Sequence, residues 1–204
     1  TDRGGSRVMA ILMEATRPKA GFLIASVFAA TTTVLAASGP NLVSAPGQRV
    51  DEYRLKAALI YAIARFVDWP ADTFSAPTAP MHVCVFGADP FGATLDDTFK
   101  GHTVGGHPVT VRRVTDIDRI CNVLFVSRSE RKRMALVTDQ LRSSAVLTVS
   151  EEDGFRSAGG MIELYGDGEK VRFSLNLKAF ETARLKPSAR LRQIHDQQDG
   201  GDRR

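Results

Sequence analysis

The chain has 204 residues, 43% of them hydrophobic and 25% charged, with a formal net charge of +4. That balance excludes a disordered polyampholyte and a low-complexity fibre, and it gives enough apolar material for one domain with its own core. Residues 1–38 hold four basic and two acidic side chains, so the remainder carries 23 basic and 21 acidic groups, a net of +2, which gives no ground for a nucleic-acid partner.

Arg17 and Lys19 precede an uncharged run from Ala20 to Ala37 with small residues at its end. A basic flank, an apolar stretch and small residues before a cut form the pattern of a secretory signal peptide, so residues 1–38 are read as a leader with some upstream sequence. An uncleaved anchor is the alternative, weakened by Thr31, Thr32 and Thr33. Residues 39–50, rich in Gly, Pro and Ser, are read as a flexible lead-in to a domain over 51–195, and the polar residues 196–204 as a disordered tail.

Leu55, Ala58, Leu59, Ala62, Ile63 and Phe66 recur at helical spacing and predict an amphipathic helix over about 51–68. Trp69-Pro70 ends it, because the residue before proline is pushed out of helical geometry. His82–Phe86 reads as a buried strand, Asp89-Pro90 as a helix start, Pro108–Val114 as a strand, and Asn122–Val126 as a further buried strand. A helix from Ser127 or Ser129 to Leu141 and a strand over Val146–Val149 follow. Met161–Tyr165 and Val171–Leu175 flank Gly166-Asp167-Gly168 and predict a hairpin. Short helices near Ala179–Ala183 and Pro187–Ile194 close the domain. The expected fold is a single α/β domain: a mostly parallel sheet of about six strands, helices on both faces and a C-terminal antiparallel hairpin.

The chemistry-bearing residues are few. Cys84 and Cys121 are the two cysteines of the chain. In an oxidising compartment they read as one disulfide, with two buried free thiols as the alternative. Gly87 and Asp89, after a strand and before a helix, stand where phosphate-holding loops occur, but without dinucleotide or Walker spacing, so a tight turn competes with a ligand site. Gly159 and Gly160 are a second ligand-binding candidate, with a bulge or turn as the rival. Glu151-Glu152 read as a solvated pair in a loop. His82, His102, His107 and His195 have no metal or triad spacing, and no nucleophile elbow or HExxH is present, so no enzyme, metal or cofactor is expected. Arg65, Phe66 and Trp69 are either core residues or an exposed anchor for a protein partner, since Trp and Arg dominate interface hot spots.

The ordered set Leu59–Pro70, Val85–Gly87, Asp89–Gly92, Cys121–Val126, Val146–Val149, Gly159–Ile162 and Val171–Asn176, closed by Leu185, Ser188 and Leu191, resembles the YfiR family of periplasmic regulators over about Tyr53 to Ile194. The resemblance implies a periplasmic, often dimeric α/β adaptor that restrains an inner-membrane diguanylate cyclase, or another membrane sensor, through its exported region. An outer-membrane lipoprotein relieves that restraint in the namesake system, and biofilm formation and motility lie downstream. The namesake has a second cysteine pair in its later half, and here no cysteine follows Cys121, so control through such a pair is not available. The runner-up is an extracytoplasmic small-molecule binding protein serving a sensor kinase or transporter.

Overall fold

The computed structural model describes residues 46–201 except 118, 168 and 169. The expected leader, most of the expected lead-in and residues 202–204 lie outside the described residues, as does the tip of the hairpin. Helix α1 (Pro46–Arg65) is followed by a two-residue strand β1 (Val67–Asp68) and a loop to β2 (Met81–Phe86). Then come α2 (Ala93–Phe99), the small hairpin β3 (Thr103–Val104) and β4 (His107–Val114), and β5 (Val123–Val126). A 3-10 helix (Arg128–Arg133) runs into α3 (Met134–Leu141), followed by β6 (Leu147–Ser150), β7 (Ile162–Asp167) and β8 (Lys170–Leu175). Helix α4 (Leu177–Thr182), strand β9 (Lys186–Pro187) and α5 (Ala189–Gly201) complete the domain. Among the described residues no helix is long and apolar enough to cross a membrane.

The main sheet has seven strands in the order β3-β4-β2-β5-β6-β7-β8. The contacts from β4 through β7 are parallel, and the outer β3–β4 and β7–β8 pairs are antiparallel. The expected α/β class, the mostly parallel sheet and the C-terminal antiparallel pair are all present. β2, β5 and β6 are continuous apolar runs because both of their faces are covered. Val83, Val85, Val123, Phe125, Leu147 and Val149 join a core with α1, α2, α4 and α5, while Cys84, Phe86, Leu124 and Val126 point into a second core capped by α3. Cys84 and Cys121 are bonded in that second core, with Cα atoms 5.8 Å apart. Both are buried, and the bridge ties β2 to the residue that leads into its neighbour β5.

Four boundaries differ from expectation: the first is that helix α1 ends at Arg65, not at Asp68, because Val67 and Asp68 pair with β9 as a strand. Helix α1 starts at Pro46, inside the expected lead-in, and α5 runs to Gly201, into the expected tail. Helix α2 starts at Ala93 rather than at Pro90, because Gly92 adopts φ +55°, outside helical geometry. Asp89 still caps a turn there, since its Oδ1 accepts the Phe91 N–H at 2.8 Å. The buried face of α1 is also rotated from the expected one. Lys56, Ala57, Ile60, Ile63 and Ala64 are buried, whereas Leu55 is half exposed and Ala58 is on the surface. Apolar residues stand on every side of this helix, so spacing alone does not single out a face.

Candidate functional site

The end of α1 is held against the body of the domain by a small second sheet. β1 pairs antiparallel with β9, with Val67 opposite Pro187 and Asp68 opposite Lys186. The Ser188 N–H donates to the Phe66 carbonyl at 2.8 Å. This pairing turns the chain sharply after Arg65 and leads it into the proline-rich loop 70–80. Arg65 and Trp69 line a cleft of about 520 Å³. Its other walls include Val67 and Asp68 of β1, Phe74 of the loop, Met81 at the start of β2, and the tip of the β3–β4 hairpin at Val104, Gly105 and His107. Phe74 stacks on the His107 ring with centroids 3.6 Å apart, and His107 Nδ1 lies 2.8 Å from the Ala79 carbonyl. These two contacts fix the loop that forms one rim.

Arg65 is exposed, with its guanidinium 5.6 Å from the Tyr61 ring centroid. Trp69 is half-buried: part of its ring packs on the core and part faces the cleft. Its indole Nε1 is buried and has no hydrogen-bond partner among the described residues. A buried donor left unpaired is costly and calls for an explanation. Phe66, the third residue of the set, is half-buried outside this cleft, with the Arg190 guanidinium 5.9 Å from its ring. The structure thus joins Arg65 and Trp69 in one concave surface and assigns Phe66 to packing.

The two glycine sites are separate. Chain order places the switch point of the sheet between β2 and β5, where open α/β sheets take ligands at the carboxyl ends of the strands. Here the chain fills that crevice itself. The Ala88 N–H donates to Ser129 Oγ at 2.9 Å, and a Cβ on Gly87 would overlap Ser129 and Glu130. Asp89 Oδ2 accepts from Arg113 Nε at 2.8 Å, and the same guanidinium binds Asp96 and the Gly92 carbonyl. The hydrogen bond from Arg113 holds the Asp96 carboxyl below its usual range, and the bond to Asp96 holds Arg113 above its own. The Gly87, Ala88 and Phe91 amides and the Asp89 carboxylate are therefore engaged internally. Gly160 faces the Phe155 ring so closely that a Cβ would overlap it. Gly159, at φ +100°, lines a different groove of about 380 Å³ together with Thr138, Arg142, Met161 and Lys178.

One constellation was not anticipated from sequence. Glu151, at the carboxyl end of β6, is 3% exposed instead of solvated, and Lys56 of α1 is 1% exposed. Lys56 Nζ bonds both Glu151 and Glu52. Glu151 also accepts from the Tyr53 hydroxyl at 2.9 Å and pairs with Arg128 Nε at 3.3 Å. Burial, reinforced by the Glu151 charge, pushes the Tyr53 phenol above its ordinary value. Glu152 is likewise buried and pairs with Arg131 at 2.8 Å. The reason is topological, because the first half of α1 covers the end of β6. Glu52 and Lys56 at i, i+4, just ahead of the apolar run Ala57–Ala64, were the available signal.

Comparison with known proteins agrees with this architecture. The family model described as YfiR/HmsC-like matches residues 53–194. No curated protein matches the chain. The match covers the sheet, the disulfide, the cleft and the buried Lys56–Glu151 pair, and the chain belongs to the YfiR/HmsC-like family of periplasmic regulators.

Proposed function

We propose that this protein is a periplasmic adaptor that binds the exported region of an inner-membrane signalling protein and restrains a diguanylate cyclase, so lowering cyclic-di-GMP. The observation that supports the reading is the pairing, in a chain of this family, of an exposed Arg65 with a partly exposed Trp69 on one concave surface. Trp offers a stiff apolar area with one donor, and Arg pairs with carboxylates, the combination that dominates binding energy at protein interfaces. The absence of a catalytic motif in the sequence is in keeping with a regulatory, non-enzymatic role. Relief of the restraint by an outer-membrane lipoprotein belongs to the same reading. Deleting the gene is expected to raise cellular cyclic-di-GMP, and restoring the wild-type chain to lower it. An unchanged level in both strains would reject the cyclase-restraining role.

A second reading, extracytoplasmic binding of a small molecule, is favoured by one observation. The groove beside Gly159 is of small-ligand size and has Arg142 and Lys178 at its walls.

A further inference from the structure

We infer that the Trp69 cleft takes its partner as an extended peptide that adds to the free edge of β1, with the exposed part of the Trp69 ring packing against it. The inference rests on the partner-binding reading and specifies its chemistry. In an antiparallel pair, hydrogen-bonded and non-hydrogen-bonded residue pairs alternate. Ser188 bonds Phe66 across the β1–β9 ladder, so the next pair, Val67–Pro187, is of the non-bonded kind. Proline has no N–H to give in any case. The N–H and C=O of Val67 therefore point away from β9, and Val67 is one of the residues that line the cleft.

An added strand would satisfy both groups. Met81, Phe74 and Val104 give the floor and walls for one apolar side chain. At the rim, Arg65 and Asp68 form no ion pair among the described residues. Arg65 is the exposed cation of α1's last turn, so it selects an acidic side chain on the entering strand. Main-chain pairing with pockets for alternate side chains is the physical basis of strand-addition recognition.

The probe is a capped heptapeptide that alternates valine with glutamate or threonine, titrated against the whole exported chain. Trp69 is the single tryptophan of the sequence, so its fluorescence reports occupancy of the cleft directly. Binding is expected with a shift in Trp69 emission. N-methylation of the amides that face β1 should weaken it about ten-fold or more, while N-methylation of the alternate amides should change it less than about two-fold. Trp69→Phe, followed by calorimetry with its melting midpoint recorded, should weaken binding about five-fold, through the lost contact area of the larger ring.

No binding, or equal loss at both sets of amides, would overturn the strand geometry. A homodimer that Trp69→Phe dissociates in sedimentation would assign the cleft to a second copy of the chain and overturn it as well. If the peptide fails while Arg65→Glu still abolishes control of cyclic-di-GMP, the strand reading falls and the docking surface stands. If the peptide binds in register while cyclic-di-GMP does not respond to the protein, the cleft assignment stands and the cyclase-restraining role falls.

Discussion

Lys56 brings an ammonium group into the interior, and two carboxylates, Glu52 and Glu151, meet it there. A buried ion pair adds little net stability over a well-packed apolar pair, but removing one partner strands the other. Glu151→Gln turns an amide toward Lys56 and is expected to destabilise the domain by about 3–5 kcal/mol in urea unfolding. Lys56→Met combined with Glu151→Gln should cost clearly less than the sum of the two single changes, because no buried charge is then abandoned. At the surface, the Arg113–Asp96 bond gives a prediction of definite sign. The folded-state carboxyl of Asp96 is depressed, so its stabilising effect is full above the unfolded-state value near about pH 4 and is lost as pH falls through the lower folded value. Asp96 is half exposed, so the effect is small. Asp96→Asn should flatten the acid limb of the stability–pH curve and leave the neutral plateau nearly level with wild type.

At the scale of elements, the strands that sequence identifies well are those buried on both faces. His82–Phe86, Asn122–Val126 and Val146–Val149 are apolar runs that no amphipathic helix would carry, and each lies within one residue of its strand in the sheet. The short edge pieces β1, β3 and β9 are two residues long, below the length at which alternation is visible, and their existence depends on distant partners. The rotation of α1 has the same origin. Its apolar content does not choose a face, and the choice is made by Glu151, almost a hundred residues away. For that reason the cleft was legible only as a segment, Arg65–Pro70, and its walls from the loop and the β3–β4 hairpin were not. The Cys84–Cys121 bridge closes a separation of 37 residues. Loop entropy values that at roughly 3–4 kcal/mol, so reduction under native conditions should lower the melting midpoint by several degrees. Equal midpoints with and without reductant would mean that the bridge constrains nothing the packing does not already hold.

For the whole molecule, the carboxyl-end crevice, the usual ligand site of such a sheet, is filled by the chain's own 3-10 helix, and Arg113 clamps the loop beside it. The concave surface that remains at the end of α1 is built from an edge strand, a proline-rich loop and a hairpin tip, an arrangement suited to a chain segment of another protein. The most direct test is to restore a deletion strain with Arg65→Glu. Arg65 is exposed and outside the core, so the variant should fold and accumulate in the envelope at the wild-type level. It is expected to leave cyclic-di-GMP as high as in the deletion strain, while wild-type protein at equal abundance brings it down. Full restoration by Arg65→Glu at that abundance would contradict the claim that this protein acts through the surface at the end of α1.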